Sequence, residues 1–130
     1  MIRRVACLLV IGAINCIPLN SQIATMGDRN TPLRALSAQG NVGISNATLL
    51  DQEARVLRVV VDANGTRAVH QHDDVQYHLF IPVTGPMELN VDGKSLDVKP
   101  WQPYLMKRGT PHGFHNNGSA PVEILEVFIK

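Results

Sequence analysis

The chain has 130 residues, of which 45% are hydrophobic and 18% charged, with a formal net charge of +1 and 5% aromatic residues. That length allows one domain, and the composition is globular rather than disordered. The near-neutral charge and the scarcity of aromatic rings exclude a nucleic-acid surface, which needs a basic patch and stacking platforms.

The N-terminal stretch "MIRRVACLLVIGAINCIPLNSQIAT" sets Arg3 and Arg4 ahead of an apolar run from Val5 to Ile14. A run of that length matches the apolar region of a secretory signal and falls short of a bilayer span. Residues 1–24 are therefore expected to be a signal peptide; a buried N-terminal strand or helix is the other reading. Ala24 suits the last position before cleavage, although Gln22 fits poorly two places earlier. Asn15 stands where a lipoprotein signal needs a small residue before Cys16. The expected product is secreted or periplasmic and has no membrane attachment after signal removal. Without the leader the 12 basic and 11 acidic residues become 10 and 11. Cys7 and Cys16 both leave with it, so the mature chain has no disulfide, thiolate ligand or cysteine nucleophile.

Residues 25–43, "TMGDRNTPLRALSAQGNVG", lack sustained apolar periodicity and are expected to be a linker. From Ile44 to Lys130 the pattern changes. "ATLLDQEARVLRVVVDANG" is expected to form one or two β-runs that end in a turn at "DANG". "RAVHQH", "YHLFIPV", "MELNV", "KSLDV", "PYLM", "GFHN" and "VEILEVFI" follow at short, even spacing. "TGP", "VDGK", "KRGTP" and "NNGSAP" are turns between them, and "VDGK" is a hairpin turn. Pro82 marks an edge or a bulge. Many short strands with regular turns predict an all-β sandwich or barrel.

Five histidines fall on these strands. His70 and His72 are two apart and share a strand face. His78 shares a face with Phe80. His112 shares one with Phe114 and Asn116, which turns His115 the opposite way. Imidazoles from neighbouring strands can close around a transition metal. The other reading is solvated or core histidines in a barrel without metal. Asp73 and Asp74 fit a solvated turn. Phe80, Leu105, Phe114 and Leu125 fit the core, and Trp101 a rim or packing position. Arg67 and Lys107 are either solvated charges or groups that steer an anionic substrate. Glu88 lies near these motifs in sequence but its alternation is ambiguous, and no general acid or base is assigned.

From Gly65 to Val127 the chain resembles the cupin family. Gly65, His70, His72 and Gly85 match most of its first motif. Pro103, Gly109, His112 and Asn116 match its second, and "APVEILEVFIK" has the composition of the closing strand. The first motif departs at its glutamate. Counting back seven positions from Gly85 puts His78 there, whereas counting forward from His72 lands on Gln76 or Tyr77. Strand register favours His78, and Gln76 stays open because an amide oxygen also ligates metals.

The resemblance implies a single jelly-roll β-barrel (a double-stranded β-helix) over residues 44–130. It also implies one divalent transition metal ion (iron, manganese, zinc, nickel or copper) held by His70, His72, His112 and His78 or Gln76. A homodimer paired through an edge strand is expected, with a small-molecule ligand or substrate. Two functions follow. One is a metal-dependent enzyme, with oxygenase chemistry first and isomerase or lyase chemistry behind it. The other is a non-catalytic module that binds a small molecule or a metal.

Overall fold

The computed structural model describes Val5–Val10, Ala13–Pro18 and residues 26–130. Strands β1 (Val5–Val10) and β2 (Ala13–Pro18) pair antiparallel as a separate two-stranded sheet. The rest of the expected leader lies outside the described residues. The other strands are β3 (Arg34–Ala35), β4 (Val42–Asp51), β5 (Ala54–His70), β6 (Tyr77–Pro82), β7 (Met87–Val91), β8 (Lys94–Val98), β9 (Tyr104–Lys107), β10 (His112–His115) and β11 (Val122–Ile129). They pair in the order β8-β7-β10-β5-β11-β6-β9, with β4 also on β5 and β3 on β4. Every pairing is antiparallel, and the described residues contain no helix. The result is a nearly closed jelly-roll barrel, the all-β fold expected.

The barrel turns on β5, a strand of 17 residues. Its first half pairs with β4 and β11, and its second half with β10. "DANG" is not the chain reversal expected of it. Asn64 alone takes a positive backbone angle there, at φ 59°, and it is absorbed as a bend while both halves keep their ladders. A β-carbon on Gly65 would meet the Asp62 carbonyl oxygen at 2.8 Å and that of Gly43 at 2.9 Å. Asn116, fully buried, holds this bend. Its amide donates to the Val61, Asp62 and Ala120 carbonyls, and its Oδ1 accepts from the Gly118 N–H. The "VDGK" turn forms as expected, with Asp92 at φ 49° and Gly93 at φ 76° joining β7 to β8.

Alternation on the strands builds the interior. Val61, Phe80, Leu89 and Ile124 are wholly inaccessible, and each such side chain contributes about 1.5–3 kcal/mol by burial. Phe80 and Phe114 are core, as expected. Leu105 and Leu125 are not. Met106 takes the inward position of β9 and leaves Leu105 56% exposed. In β11 Val122, Ile124, Glu126 and Phe128 face in, so Leu125 lies on the outer face. Pro82 ends β6, which lies between β11 and β9 rather than at an edge. The segment read as a linker carries β3, tied to β4 through Arg34–Asn46 and Ala35–Ser45, and Leu36 packs on the core.

Candidate metal centre

Three chain segments bring imidazoles together at one end of the barrel. His70 closes β5 and lies opposite His112 of β10. His72 follows in the next loop, where its carbonyl accepts the Gly109 N–H at 2.9 Å. Gly109 is at φ 71°, the backbone that this contact uses. One nitrogen from each of His70, His72 and His112 lies within 4.8 Å of the others. The His70 and His112 ring centroids are 4.4 Å apart, and those of His70 and His72 5.0 Å.

A β-bulge sets this geometry. His112 pairs with His70 and Phe114 with Arg67, so Ala68 and Val69 together face Gly113. Arg67 and His70, three apart in sequence, therefore both point inward. Gly113 is needed at that place, because a β-carbon there would meet the Arg67 carbonyl oxygen at 2.7 Å.

Hydrogen bonds fix two of the rings. Nδ1 of His70 donates to the Ala68 carbonyl at 2.9 Å, and Nδ1 of His112 to the Thr110 carbonyl at 2.8 Å. Each bond leaves Nε2 as the free acceptor. Nε2 of His112 and Nε2 of His72 are buried with no partner among the described residues, a costly state for a polar atom that nothing ligates. Burial first, then the charges of neighbouring histidines, push His72 down to about 4. His112 also falls to about 4, through burial and then His70 and His78, with the Thr110 bond opposing. His70 is lowered too, mainly by burial. All three are neutral at pH 7, the form that ligates metal.

His78 stands beside this set rather than within it. Its ring lies 4.8 Å from that of His112 and 5.3 Å from that of His72, and stacks on Phe128 at 4.2 Å. Nε2 of His78 is 3.4 Å from Oε1 of Glu126. Gln76 is exposed, and its amide donates to the Lys130 carbonyl. His115 bonds Thr66 Oγ1 at 2.7 Å, away from the cluster. Asp73 accepts from the Gln71 amide, and Asp74 pairs with Arg55. Glu88 accepts from Asn117. Trp101 is 70% exposed.

Glu126 is the site residue that sequence reasoning missed. It is a buried carboxylate on β11, between Ile124 and Phe128 on the inner face. Burial pushes its pKa up, but the hydrogen bond and charge of His78, with His70 and His112 behind, more than offset this and leave it below the usual value. Its alternation with Val122, Ile124 and Phe128 was the available signal. A cavity of about 90 Å3 adjoins the cluster, lined by Arg67, His70, His72, Phe114, Glu126 and Phe128 among others. A larger groove of about 590 Å3, between the β6–β7 and β10–β11 loops, contains no histidine. Of these two spaces, the smaller one adjoins the histidine cluster.

Fold and site together define a small antiparallel β-barrel with a histidine cluster inside one end. The cupin domain family matches residues 57–128, more than half of the chain, and the protein belongs to that family. No protein of curated function matches the sequence. Several solved structures share the fold. One is a predicted oxalate decarboxylase from Thermotoga maritima, with TM-score 0.72, 20% identity and coverage of 82% of this chain and 98% of that one. The polyketide cyclase RemF from Streptomyces resistomycificus follows at TM-score 0.70 and 20% identity, covering 82% and 78%. The cupin domain of an XRE-family transcriptional regulator from Enterobacter cloacae has TM-score 0.62 and 14% identity, covering 68% and 98%. At these identities the likeness is one of fold.

Proposed function

We propose that the protein is a mononuclear metal enzyme acting on a small organic molecule, with His70, His72 and His112 as the protein ligands. The observation that carries this reading is the pair of orphaned Nε2 atoms on His72 and His112, beside a His70 ring whose Nδ1 is already bonded. Three neutral imidazoles suit iron, copper, zinc, nickel or manganese and leave positions open for a substrate. His78, beside the three with its ring 4.8 Å from that of His112, is the candidate for a fourth position, and Gln76 is set aside because it is exposed and its side chain reaches the Lys130 carbonyl. A bound ion supplies Lewis acidity and, if redox-active, dioxygen chemistry. Phe128 covers one side of His78 and excludes water there. Glu126, ionised and buried, is the group placed to accept a proton within the cavity. Oxygen uptake and product formation from candidate substrates, with and without chelator, test the reading. Turnover lost with chelator supports it; stable metal binding with no turnover assigns the chain to the non-catalytic class.

The apolar run behind Arg3 and Arg4 supports export, with a mature chain from about Thr25. Mass spectrometry from the native host tests this, and an intact Met1 or Ile2 terminus in the cytosol contradicts it. The proposed homodimer uses the β9 edge. Leu105 there is 56% exposed, beside Tyr77 at 38% and Ile129 at 40%. A dilution-resistant monomer in light scattering contradicts the dimer.

A further inference from the structure

We propose that Arg67 anchors the carboxylate of a small organic acid of two or three carbons, bound inside the barrel beside His70 and His72. The inference rests on the metal-site reading above and narrows it to a substrate class.

The bulge opposite Gly113 turns Arg67 into the same cavity as His70, His72 and Glu126. Arg55, Arg58 and Arg108 each have a partner, in Asp74, Glu123 and the Val75 carbonyl. Arg67 has no ion pair among the described residues. Burial lowers its pKa, with Glu126 partly opposing. A half-buried guanidinium without a partner is an unfavourable arrangement, and its planar fork matches a carboxylate in two parallel hydrogen bonds. The cavity's one carboxylate, Glu126, is already engaged by His78. Arg55, over Phe128 at 4.6 Å, adds a second positive charge at the wall.

Size selects among acids. About 90 Å3 holds about three waters, or about four to six non-hydrogen atoms at the closer packing of a bound ligand. That admits a hydroxy acid or an oxo acid of two or three carbons, or the two-carbon dicarboxylate, and it excludes a sugar phosphate or a polyketide chain. With the carboxylate on Arg67, the neighbouring oxygen of such an acid faces the histidine cluster. An uncharged diol of the same size satisfies only the second contact.

Isothermal titration of glycolate and of ethylene glycol, into metal-free and metal-loaded protein, tests the proposal. Glycolate is expected to bind both forms, more tightly with metal, and ethylene glycol far more weakly. Arg67→Met should weaken glycolate by at least about tenfold in the metal-free protein, the scale of a charged hydrogen bond. Its metal content should stay at the wild-type level. Arg67→Lys should keep part of the affinity, since charge remains and the fork is lost; it decides the matter if Arg67→Met does not fold. Glycolate binding that is undetectable in wild type, unchanged in the variants, or matched by ethylene glycol overturns the proposal. A wild-type protein that takes up no metal overturns the metal-site reading instead, and the metal-free titration still decides the role of Arg67.

Discussion

Replacing Gly113 with alanine should damage the metal centre without touching a ligand. The new β-carbon would stand 2.7 Å from the Arg67 carbonyl oxygen, 3.1 Å from the Val69 nitrogen and 3.3 Å from the Ala68 carbonyl carbon. All three are backbone atoms, so no rotamer change relieves the clash. Ordinary contact begins at 3.4 Å, and the bulge must open by about 0.7 Å. Overpacking of this kind costs about 1–3 kcal/mol, or about 5–15 °C in the unfolding midpoint of a domain this size. The same movement displaces His70 from His112, its partner across the bulge. Metal–ligand distances tolerate only about 0.2 Å, so affinity should fall about 10- to 100-fold, as when the groups that orient a ligand are lost. Thermal unfolding of the metal-free protein and a competitive zinc titration measure the two effects. Wild-type midpoint and wild-type affinity in Gly113→Ala would refute the role given to the bulge.

Two further predictions concern the buried polar groups. Glu126→Leu should destabilise the metal-free protein by about 3 kcal/mol, because it removes the carboxylate 3.4 Å from Nε2 of His78, a buried ring whose two nitrogens have no hydrogen-bond partner among the described residues. Glu126→Leu with His78→Leu should cost clearly less than the sum of the single changes in urea unfolding, and additive costs would dissolve the pair. The metal-free protein should also lose stability as pH falls from about 6.5 towards 4. His72 and His112 titrate at about 4 when folded, chiefly through burial, and at 6.5 otherwise, so the unfolded state takes up protons first. Melting curves after chelation check this, and a midpoint that is flat or rises across that window contradicts it.

The site was partly legible because parity holds on short, straight strands. His78 with Phe80, and His112 with Phe114 and Asn116, all face in as alternation requires. His115 faces out for the same reason. Arg67 was hidden by the bulge: simple alternation from His70 puts it outside, and nothing in "TRAVH" marks where the extra residue falls. Glu126 was visible in "VEILEVFI", in step with Ile124 and Phe128, but lies far in sequence from the histidine motifs. The bend of β5 resembled a turn because the residues that permit positive φ are the same in both. Strand β3 was missed because two residues show no periodicity; backbone pairing to β4 and the Leu36 N–H bond to Ile44 hold it.

Elemental analysis of purified wild type, His72→Ala, His112→Ala and His115→Ala tests the central claim most directly. The account predicts one transition metal ion per chain in wild type, nearly the same in His115→Ala, and a sharp loss in His72→Ala and His112→Ala. Metal bound by His112→Ala as well as by wild type would contradict it.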